Sequence, residues 1–209
     1  MTAREEILRR VRVAQVAIPA HEIRREYSHV REHDDRLAQF VQRVEDYKAT
    51  VIRAHPDDVA TAVAKCLADA RKVVVPKGFD PSWVPDDLTV VRDEPPLGAD
   101  ELNTVDAVLT SAVVGIAETG TIVLDHTSGM GRRTLTLVPD LHVCVVTADH
   151  VVGDVPEAVA RLGASVKAGR PLTWISGGSA TVDIELQRVE GVHGPRTLCV
   201  VLVEPLSRT

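Results

Sequence analysis

The 209-residue sequence is poor in aromatic side chains and contains no long apolar run. Aromatic residues make up only 3% of the chain, so a hydrophobic core has to be built from valine, leucine, isoleucine and alanine. No apolar run approaches the roughly 18 residues that a membrane-spanning helix needs, and the first residues lack the apolar centre of a signal peptide. We therefore expect a cytoplasmic protein without a membrane span.

Cysteine is also scarce, and the three cysteines, Cys66, Cys144 and Cys199, stand far apart in apolar segments. No pair has the Cys-x-x-Cys spacing that is typical of iron–sulfur and structural zinc sites. We interpret all three as buried, reduced thiols that pack like small hydrophobic side chains. No cofactor is therefore expected in this chain.

A net positive charge and clustered metal ligands are lacking as well. The formal net charge is −6, whereas general nucleic-acid binders are normally basic, so no nucleic-acid partner is expected. Asp125 and His126 form an adjacent acid–imidazole pair. The remaining candidates, His142, His150 and His193, lie too far apart to predict a metal site from their spacing.

The first 33 residues predict a helix followed by an arm. Thr2 and Glu5 match a T-x-x-E capping box, and an amphipathic pattern follows them. Residues 21–33 are charged and weakly periodic, which is typical of a solvated linker, although such a segment could also dock a partner. We divide the chain into an N-terminal helix and charged arm, residues 1–33, and one α/β domain, residues 34–209.

Helical periodicity returns in three later segments. Asp34 or Asp35 can cap a helix whose apolar face extends to Val51, and Pro56 suits the first turn of the next helix. Asp154 can cap a helix that ends near a glycine at position 169. The apolar face predicted for that helix consists of Val159, Leu162 and Val166.

Short runs of β-branched residues predict the strands. Helices followed directly by buried strands are typical of an α/β sheet. Thr134 to Val138 alternates as a half-exposed strand should. The predicted strands are residues 73–75, 88–91, 107–110, 121–124, 134–138, 142–147, 173–176 and 197–203.

The stretch from Ala112 to Pro139 contains a carboxylate turn, Glu118-Thr119-Gly120, between apolar and β-prone segments. A glutamate with a glycine two residues further on resembles the catalytic turn of CoA transferases, in which the carboxylate attacks an acyl thioester. Such a nucleophile needs a dry site and a nearby oxyanion donor. Glu118 could instead bind a ligand, or brace the turn by accepting backbone N–H bonds, which is the more ordinary role.

A glycine-rich basic loop, Gly129-Met130-Gly131-Arg132-Arg133, follows in the same stretch. Arginine recognises carboxylate or phosphate through paired donors, and glycine lets the backbone approach an anion closely. The alternative is a solvated hairpin loop. The spacing is not that of a Walker A loop, because no G-K-[ST] is present.

A second candidate loop, S-G-G-S at residues 176–179, precedes a predicted short acidic helix around residues 181–189. Free N–H groups at a helix N-terminus bind anions, so this loop could hold a phosphate or a carboxylate. Asp183 would lie in the first turn and already satisfy the helix dipole, which makes a capped helix start an equal alternative. The loop residues proposed as ligands are Ser176, Gly177 and Ser179.

Two long segments resemble the LUD-domain family, and within it the lactate-utilization branch. They are G-I-A-E-T-G-T-I-V-L…G-R-R-T-L-T-L-V-P-D-L-H-V-C-V-V and I-S-G-G-S-A-T-V-D-I-E-L-Q-R-V-E-G-V-H-G-P-R-T-L-C-V-V-L-V. A weaker likeness extends to the N-terminal helix, so nearly the whole chain is covered. Arg133 matches a motif position of the family and is therefore the preferred anion ligand, whereas Gly178 stands where the family often has proline. Glu118, Thr119 and Gly120 of the carboxylate turn are also candidate ligand-binding residues. The candidate ligand-binding residues include Asp183 and His193, although His193 more naturally holds its tight turn by hydrogen bonds.

The resemblance implies a Rossmann-like three-layer α/β/α sandwich, similar to ribose-5-phosphate isomerase and the CoA transferases. It also implies a role in oxidising L-lactate to pyruvate with partner proteins that carry iron–sulfur clusters. This chain would then be an accessory subunit that binds an anionic small molecule, and the resemblance implies no catalytic mechanism for it. The alternative is a stand-alone enzyme of CoA-transferase or phosphosugar-isomerase type that uses Glu118. We expect the two candidate loops and the G-V-H-G-P turn to face one cleft.

Overall fold

A six-stranded parallel sheet forms the centre of the protein, and the computed structural model describes residues 2–14, 35–182 and 188–204. The helices in these ranges are α1 (Ala3–Ala14), α2 (Arg36–Asp46), α3 (Val59–Leu67), α4 (Ala99–Leu102) and α5 (Val155–Lys167). The strands are β1 (Thr50–Ala54), β2 (Lys72–Val74), β3 (Thr89–Val91), β4 (Ala107–Ser111), β5 (Val114–Ile116), β6 (Thr121–Leu124), β7 (Leu141–Thr147), β8 (Val151–Val152), β9 (Thr173–Ile175), β10 (Ala180–Val182), β11 (Arg188–Glu190) and β12 (Thr197–Val203).

The central sheet has the strand order β1-β12-β7-β4-β2-β3, and every neighbouring pair is parallel. Successive side chains of β7 point to opposite faces. Val143 and Val145 pack with α3 on one face, whereas Cys144 and Val146 pack with Phe40 of α2 on the other. Apolar side chains on both faces explain why these strands read as continuous hydrophobic runs.

A second sheet, of order β8-β5-β6-β9, covers part of the α2 face. Its strands β5 and β6 are antiparallel, and the Glu118-Thr119-Gly120 turn joins them. Ile116 and Val123 pack against Ala158 and Leu162 of α5, which therefore lies outside this sheet. The predicted three-layer α/β architecture with a mostly parallel sheet is confirmed, and the second sheet adds to it.

The predicted helix starts are confirmed at three positions. Thr2 and Glu5 make both bonds of the capping box, with Thr2 N to Glu5 Oε2 at 2.7 Å. Asp35 accepts from the backbone N–H of Ala38 at 2.9 Å. Asp154 caps α5 by accepting from the N–H of residue 157 at 3.1 Å. Each cap satisfies an N–H group that has no partner inside its helix.

Two secondary-structure predictions around the candidate loops are wrong. Residues 133–136 form a 3-10 helix rather than a strand, because Leu135 turns into the core while Leu137 remains exposed. The expected acidic helix at residues 181–189 is also wrong, since β10 and β11 pair as antiparallel strands. The S-G-G-S loop is therefore not followed by a helix N-terminus.

Helix α2 is shorter than predicted, and α5 buries another face. Val51 lies in β1, because α2 already ends at Asp46. Val159 and Val166 of α5 are exposed, and the helix buries Leu162 with small side chains. Small residues let the helix approach its sheet closely, so the buried face of α5 is not the one that carries most of its large apolar side chains.

The interpretation of all three cysteines as reduced thiols is wrong for two of them. Cys66 of α3 and Cys199 of β12 form a disulfide with a Cα–Cα distance of 5.8 Å. Cys144 is a free, fully buried thiol, as expected. The 133-residue separation of the bonded pair hides their contact from any local sequence pattern.

The predicted arm at residues 21–33 lies outside the described residues. Helix α1 has no buried residue, and the division into an arm and a domain stays a prediction. Within the described ranges, no helix combines the length and apolar character needed to cross a membrane.

Candidate functional site

A cavity of about 240 Å³ lies beside the first residues of β7 and β12 and the edge strand β9. We call it the Arg133 cavity. It brings together most of the predicted ligand-binding residues, which stand in three separate segments of the chain. Its lining residues are Arg133, Thr136, Leu137, His142, Thr173, Trp174, Ile175, Ser176, Gly177, Gly178, Ser179, His193, Gly194, Pro195 and Leu198.

The charge of this cavity favours an anion. None of the residues in its described lining is acidic, although the whole chain carries a net charge of −6. Arg133 has no hydrogen-bond or ion-pair partner for its exposed side chain among the described residues. An unpaired guanidinium presents its donors to a carboxylate or phosphate.

The two adjacent arginines of the basic loop have different roles. Arg132 makes a bidentate pair with Asp93, with Nε–Oδ2 at 2.7 Å and Nη2–Oδ1 at 2.9 Å. It also donates to the carbonyl oxygen of Leu97 at 2.6 Å. These contacts fix the loop to the chain after β3 and occupy the Arg132 donors, so Arg133 alone of the two remains available to an anion.

The S-G-G-S loop is held against the G-V-H-G-P turn by backbone bonds. Ser179 N donates to the Pro195 carbonyl oxygen at 2.7 Å, and Gly191 N donates to the Ser179 carbonyl oxygen at 2.8 Å. The Ser179 hydroxyl oxygen accepts from His193 N at 3.1 Å. His193 thus contributes to the turn through its backbone N–H, and the residue also lines the cavity.

Glycine is required in this loop by a close approach of two backbones. A Cβ at Gly178 would lie 2.5 Å from the carbonyl oxygen of Arg196. Gly177 has φ +90°, a backbone conformation that residues other than glycine rarely adopt. Because Gly178 packs on that carbonyl, this loop has no room for the proline that the family often carries there.

A chain of hydroxyl groups connects the carboxylate turn to the cavity wall. The Thr119 and Thr121 hydroxyl oxygens are 2.8 Å apart, and Thr121 is 2.8 Å from the Ser176 hydroxyl. Thr121 is buried between the other two. The predicted residue Thr119 therefore orients Ser176 through Thr121 and does not itself line the cavity.

Glu118 and Gly120 lie outside the Arg133 cavity lining. Glu118 N donates to the carbonyl oxygen of Gly153 at 3.0 Å, which ties the turn to the start of α5. Gly120 has φ +61°, and a Cβ there would lie 2.6 Å from the backbone of Arg43 in α2. The turn packs tightly against that helix, as a structural element would.

The side chains of the adjacent pair Asp125 and His126 do not contact each other. Asp125 accepts from the Ser165 hydroxyl at 2.6 Å and from the Thr127 hydroxyl at 2.6 Å. His126 Nδ1 donates to the carbonyl oxygen of residue 131 at 2.8 Å, and Nε2 bonds Thr173 Oγ1 at 2.7 Å. Burial would raise the pKa of Asp125, but these hydroxyl donors and a nearby arginine lower it. The pair braces two loops instead of forming an acid–imidazole couple.

His142 is a buried polar lining residue that was not among the ligand-binding residues predicted from the sequence. It is 1% exposed, and its Nε2 lies 2.7 Å from the Thr110 hydroxyl oxygen on the neighbouring strand β4. Burial lowers the pKa of His142 to about 4. A histidine in the apolar strand L-H-V-C-V-V-T was the available signal, because a buried polar side chain requires a compensating contact.

A larger cleft, of about 1050 Å³, lies where β2 and β3 end, and Arg133 also lines it. We call it the strand-end cleft; ligands of open α/β sheets commonly bind at such ends. Two of its cations have acidic neighbours, since Arg132 pairs with Asp93 and Lys77 Nζ lies 3.3 Å from Glu94, and both acids line the cleft as well. The strand-end cleft is therefore less suited to an anion than the Arg133 cavity.

Two further predictions concern Asp183 and the possibility of a metal site. Asp183 lies outside the described residues. In the described part of the chain, no group of three or more His, Cys, Asp or Glu side chains is arranged to hold a metal ion.

Comparison with known proteins places the chain in a family. A model of the LUD domain matches residues 98–203. A relative from Deinococcus radiodurans named Lactate utilization protein C is 53% identical over 167 residues, 80% of this chain and 79% of that protein. The chain belongs to the LUD-domain family. Another relative, Lactate utilization protein C of Geobacillus kaustophilus, is 26% identical over 176 residues, 71% of this chain and 73% of that protein.

A solved structure shares the LUD-domain fold. The crystal structure of a DUF162 family protein from Deinococcus radiodurans at 1.70 Å resolution has a TM-score of 0.73 and 47% identity. The match covers 81% of this chain and 96% of the other. All residues that line the Arg133 cavity fall inside the matched LUD segment, whereas half of the strand-end cleft, including Pro76 to Pro81, lies before it. The Arg133 cavity is thus lined entirely by residues of the segment that matches the LUD domain.

Proposed function

We propose that this protein serves the oxidation of L-lactate to pyruvate, as an accessory subunit that binds a small organic anion and acts with iron–sulfur partner proteins. The names of its LUD-domain relatives support the lactate-utilization role. The observation that carries the anion site is the unpaired Arg133 guanidinium in a cavity whose described lining contains no carboxylate. The cytoplasm is the proposed compartment.

The geometry of the Arg133 cavity supports a small ligand. A volume of about 240 Å³ is slightly below the usual range for pockets that hold drug-sized ligands, about 300–1,000 Å³, so only a small molecule fits. Arg133 can pair with a carboxylate, and the Ser176 hydroxyl, oriented by Thr121, offers a further hydrogen bond. These groups bind and position a ligand, and none of them is an activated nucleophile.

Electron transfer is assigned to the partners because of where the cysteines lie. Cys66 and Cys199 are bonded to each other, and burial raises the pKa of the Cys144 thiol to about 12. Cluster ligands are thiolates, which a thiol with so high a pKa does not readily supply. Iron–sulfur clusters are therefore proposed for the partner subunits.

The alternative, a stand-alone transferase that uses Glu118, has less support. Glu118 does not line the Arg133 cavity, and its turn packs on α2 and the start of α5. Carboxylate nucleophiles act on a substrate held against them, within a site that excludes water.

The proposal is tested in the native host, with its chromosomal gene deleted and replaced by variants. Arg133→Gln should abolish or slow growth on L-lactate as sole carbon source, while growth on another carbon source stays normal. Arg161→Gln is the matched control, because Arg161 is exposed and its side chain bonds, among the described residues, only the Asp149 carbonyl oxygen. Affinity capture of the unmodified chain from lactate-grown cells should recover iron–sulfur proteins.

Three outcomes would contradict this proposal. Normal growth of the deletion strain on L-lactate would show that the protein is not needed for lactate use. Full complementation by Arg133→Gln would show that the function does not depend on an anion bound by Arg133. Capture without any iron–sulfur protein, together with lactate turnover by the isolated chain, would favour the stand-alone enzyme.

A further inference from the structure

His142 is a buried polar side chain with unused hydrogen-bonding capacity at the cavity wall. It is 1% exposed, sits second in the parallel strand β7 and lines the Arg133 cavity. Its Nε2 bonds Thr110, whereas Nδ1 has no partner among the described residues. Because an unsatisfied buried polar group costs free energy, a polar ligand atom that reached Nδ1 from the cavity would be stabilised there.

The protonation state of His142 determines what that partner can be. Burial lowers the pKa of this imidazole to about 4, so the ring is neutral at physiological pH. A neutral imidazole carries one N–H donor and one acceptor nitrogen. His142 therefore cannot supply a second positive charge for an anion, but it can make one directed hydrogen bond to a polar atom of the ligand.

Thr110 allows that hydrogen bond to run in either direction. A threonine hydroxyl both donates and accepts, so it can pair with Nε2 of His142 in either tautomer. When Thr110 donates to Nε2, Nδ1 carries the hydrogen and donates to a ligand. When Nε2 donates to Thr110, Nδ1 is free to accept from a ligand. The Thr110–His142 pair can thus match a carbonyl oxygen or a hydroxyl group at one position.

We propose that the Arg133 cavity binds a small monocarboxylate with an oxygen on the carbon next to the carboxylate, a 2-hydroxy or 2-oxo acid. Arg133 binds the carboxylate, and His142, positioned by Thr110, binds the 2-oxygen through Nδ1. This inference rests on the proposed anion site and names its ligand class. His142 acts as a specificity residue that accommodates both forms of the acid by changing tautomer, and it transfers no group.

The first test uses the unmodified, untagged chain and three ligands of similar size. Propionate has no 2-oxygen, L-lactate has a hydroxyl and pyruvate has a carbonyl at that position. Titration followed by NMR should show lactate and pyruvate binding about three- to tenfold more tightly than propionate, the range expected for one hydrogen bond. Equal affinities of all three acids would overturn the role of the 2-oxygen.

The second test reads the His142 ring directly by its nitrogen chemical shifts. Saturating lactate and saturating pyruvate should shift Nδ1 in opposite senses, because the nitrogen accepts from one ligand and donates to the other. Unchanged His142 shifts in both complexes would overturn the proposal, even if the acids bind elsewhere. This measurement needs no substitution and therefore does not depend on whether a variant folds.

Variants provide a third test. His142→Leu should bring lactate and pyruvate down to the affinity of propionate and leave propionate unchanged. His142→Asn should restore part of the preference, because an amide can also present a donor or an acceptor. His55→Asn is the matched control, since His55 lies outside the cavity and serves as a cap for residue 57. A preference that survives in His142→Leu would contradict the assignment.

These outcomes separate this inference from the proposed function. If none of the three acids binds, the ligand class is wrong, while the lactate-growth and capture experiments still decide the lactate role. If the deletion strain grows normally on lactate but the acids bind with the stated preference, the ligand assignment stands and the proposed role fails.

Discussion

Replacing Arg132 by glutamine should destabilise the protein, whereas the same change at Arg133 should not. Arg132 forms the bidentate pair with Asp93, whose side chain is only 13% exposed, and it also binds the Leu97 carbonyl oxygen. Removing the cation leaves the Asp93 carboxylate largely buried with one remaining donor, Leu97 N at 2.8 Å. Breaking a fully buried ion pair costs about 3–5 kcal/mol.

The expected loss is smaller than that limit because Arg132 is 36% exposed and solvent screens the pair. We expect a decrease of about 2 kcal/mol in the free energy of unfolding, or a drop of roughly 4–8 °C in the melting temperature for a chain of this size. Arg133→Gln, which breaks no protein contact, should change the free energy of unfolding by less than about 0.5 kcal/mol.

The pH dependence of this difference has a defined sign. Burial would raise the pKa of Asp93, but the Arg132 and Leu97 donors and the charge of Arg132 hold it below the usual value. A depressed carboxylate pKa contributes stability above the unfolded pKa, about 3.9, which is lost as the pH falls through the folded pKa. The difference between wild type and Arg132→Gln should therefore be constant from about pH 5 to 7 and shrink below about pH 4.

Urea unfolding followed by the fluorescence of the two tryptophans measures both quantities. A lower midpoint with an unchanged slope is expected for Arg132→Gln at pH 7. Equal midpoints for both arginine variants, or a difference that does not diminish in acid, would refute the structural role of the Arg132–Asp93 pair.

Two further predictions concern backbone packing and buried charge. Gly120→Ala should cost about 3 kcal/mol in unfolding free energy, because it combines a left-handed φ of +61° with a Cβ 2.6 Å from the Arg43 backbone. Gly169→Ala, with φ +70° but open space, should cost only about 1 kcal/mol, and equal losses would contradict the packing argument. His142 has a pKa of about 4 when folded against 6.5 normally, so the native state binds fewer protons between these values and stability falls as the pH drops through that window. His142→Leu should reduce the slope of the unfolding free energy against pH by up to about 1.4 kcal/mol per pH unit. Urea unfolding of both proteins between pH 7 and 4.5 measures this slope, and parallel profiles would disprove a buried neutral imidazole.

Elements whose cause is local could be predicted from the sequence. The strands at residues 121–124 and 197–203 agree with prediction, because β-branched runs between turn residues favour a buried strand wherever they occur. The caps at Asp35 and Asp154 also agree, since a side chain binding an N–H three residues away depends on few other residues.

Elements that depend on distant contacts were predicted wrongly. The alternation of polar and apolar residues from Thr134 to Val138 is too short to distinguish a strand from a 3-10 helix. The burial of Leu135 against Val108 and Leu102 favours the 3-10 helix. Val51 continues the helical spacing of α2, yet it pairs with β12 from the far end of the chain. The Cys66–Cys199 bond likewise requires α3 and β12 to be packed together first.

The candidate site divides in the same way. The sequence by itself determined where the candidate loops lie, through their glycines, serines and arginines. The family resemblance led to the expectation that these loops face one cleft. Only the tertiary structure decided that Asp93 pairs with Arg132 and that Arg133 has no such partner among the described residues. It also decided that Thr110 bonds His142 at the cavity wall. The Arg132–Asp93 contact joins side chains 39 residues apart and the His142–Thr110 contact joins side chains 32 residues apart, so both form only when the chain has folded. The residues of a loop, in contrast, influence the conformation of their own backbone directly.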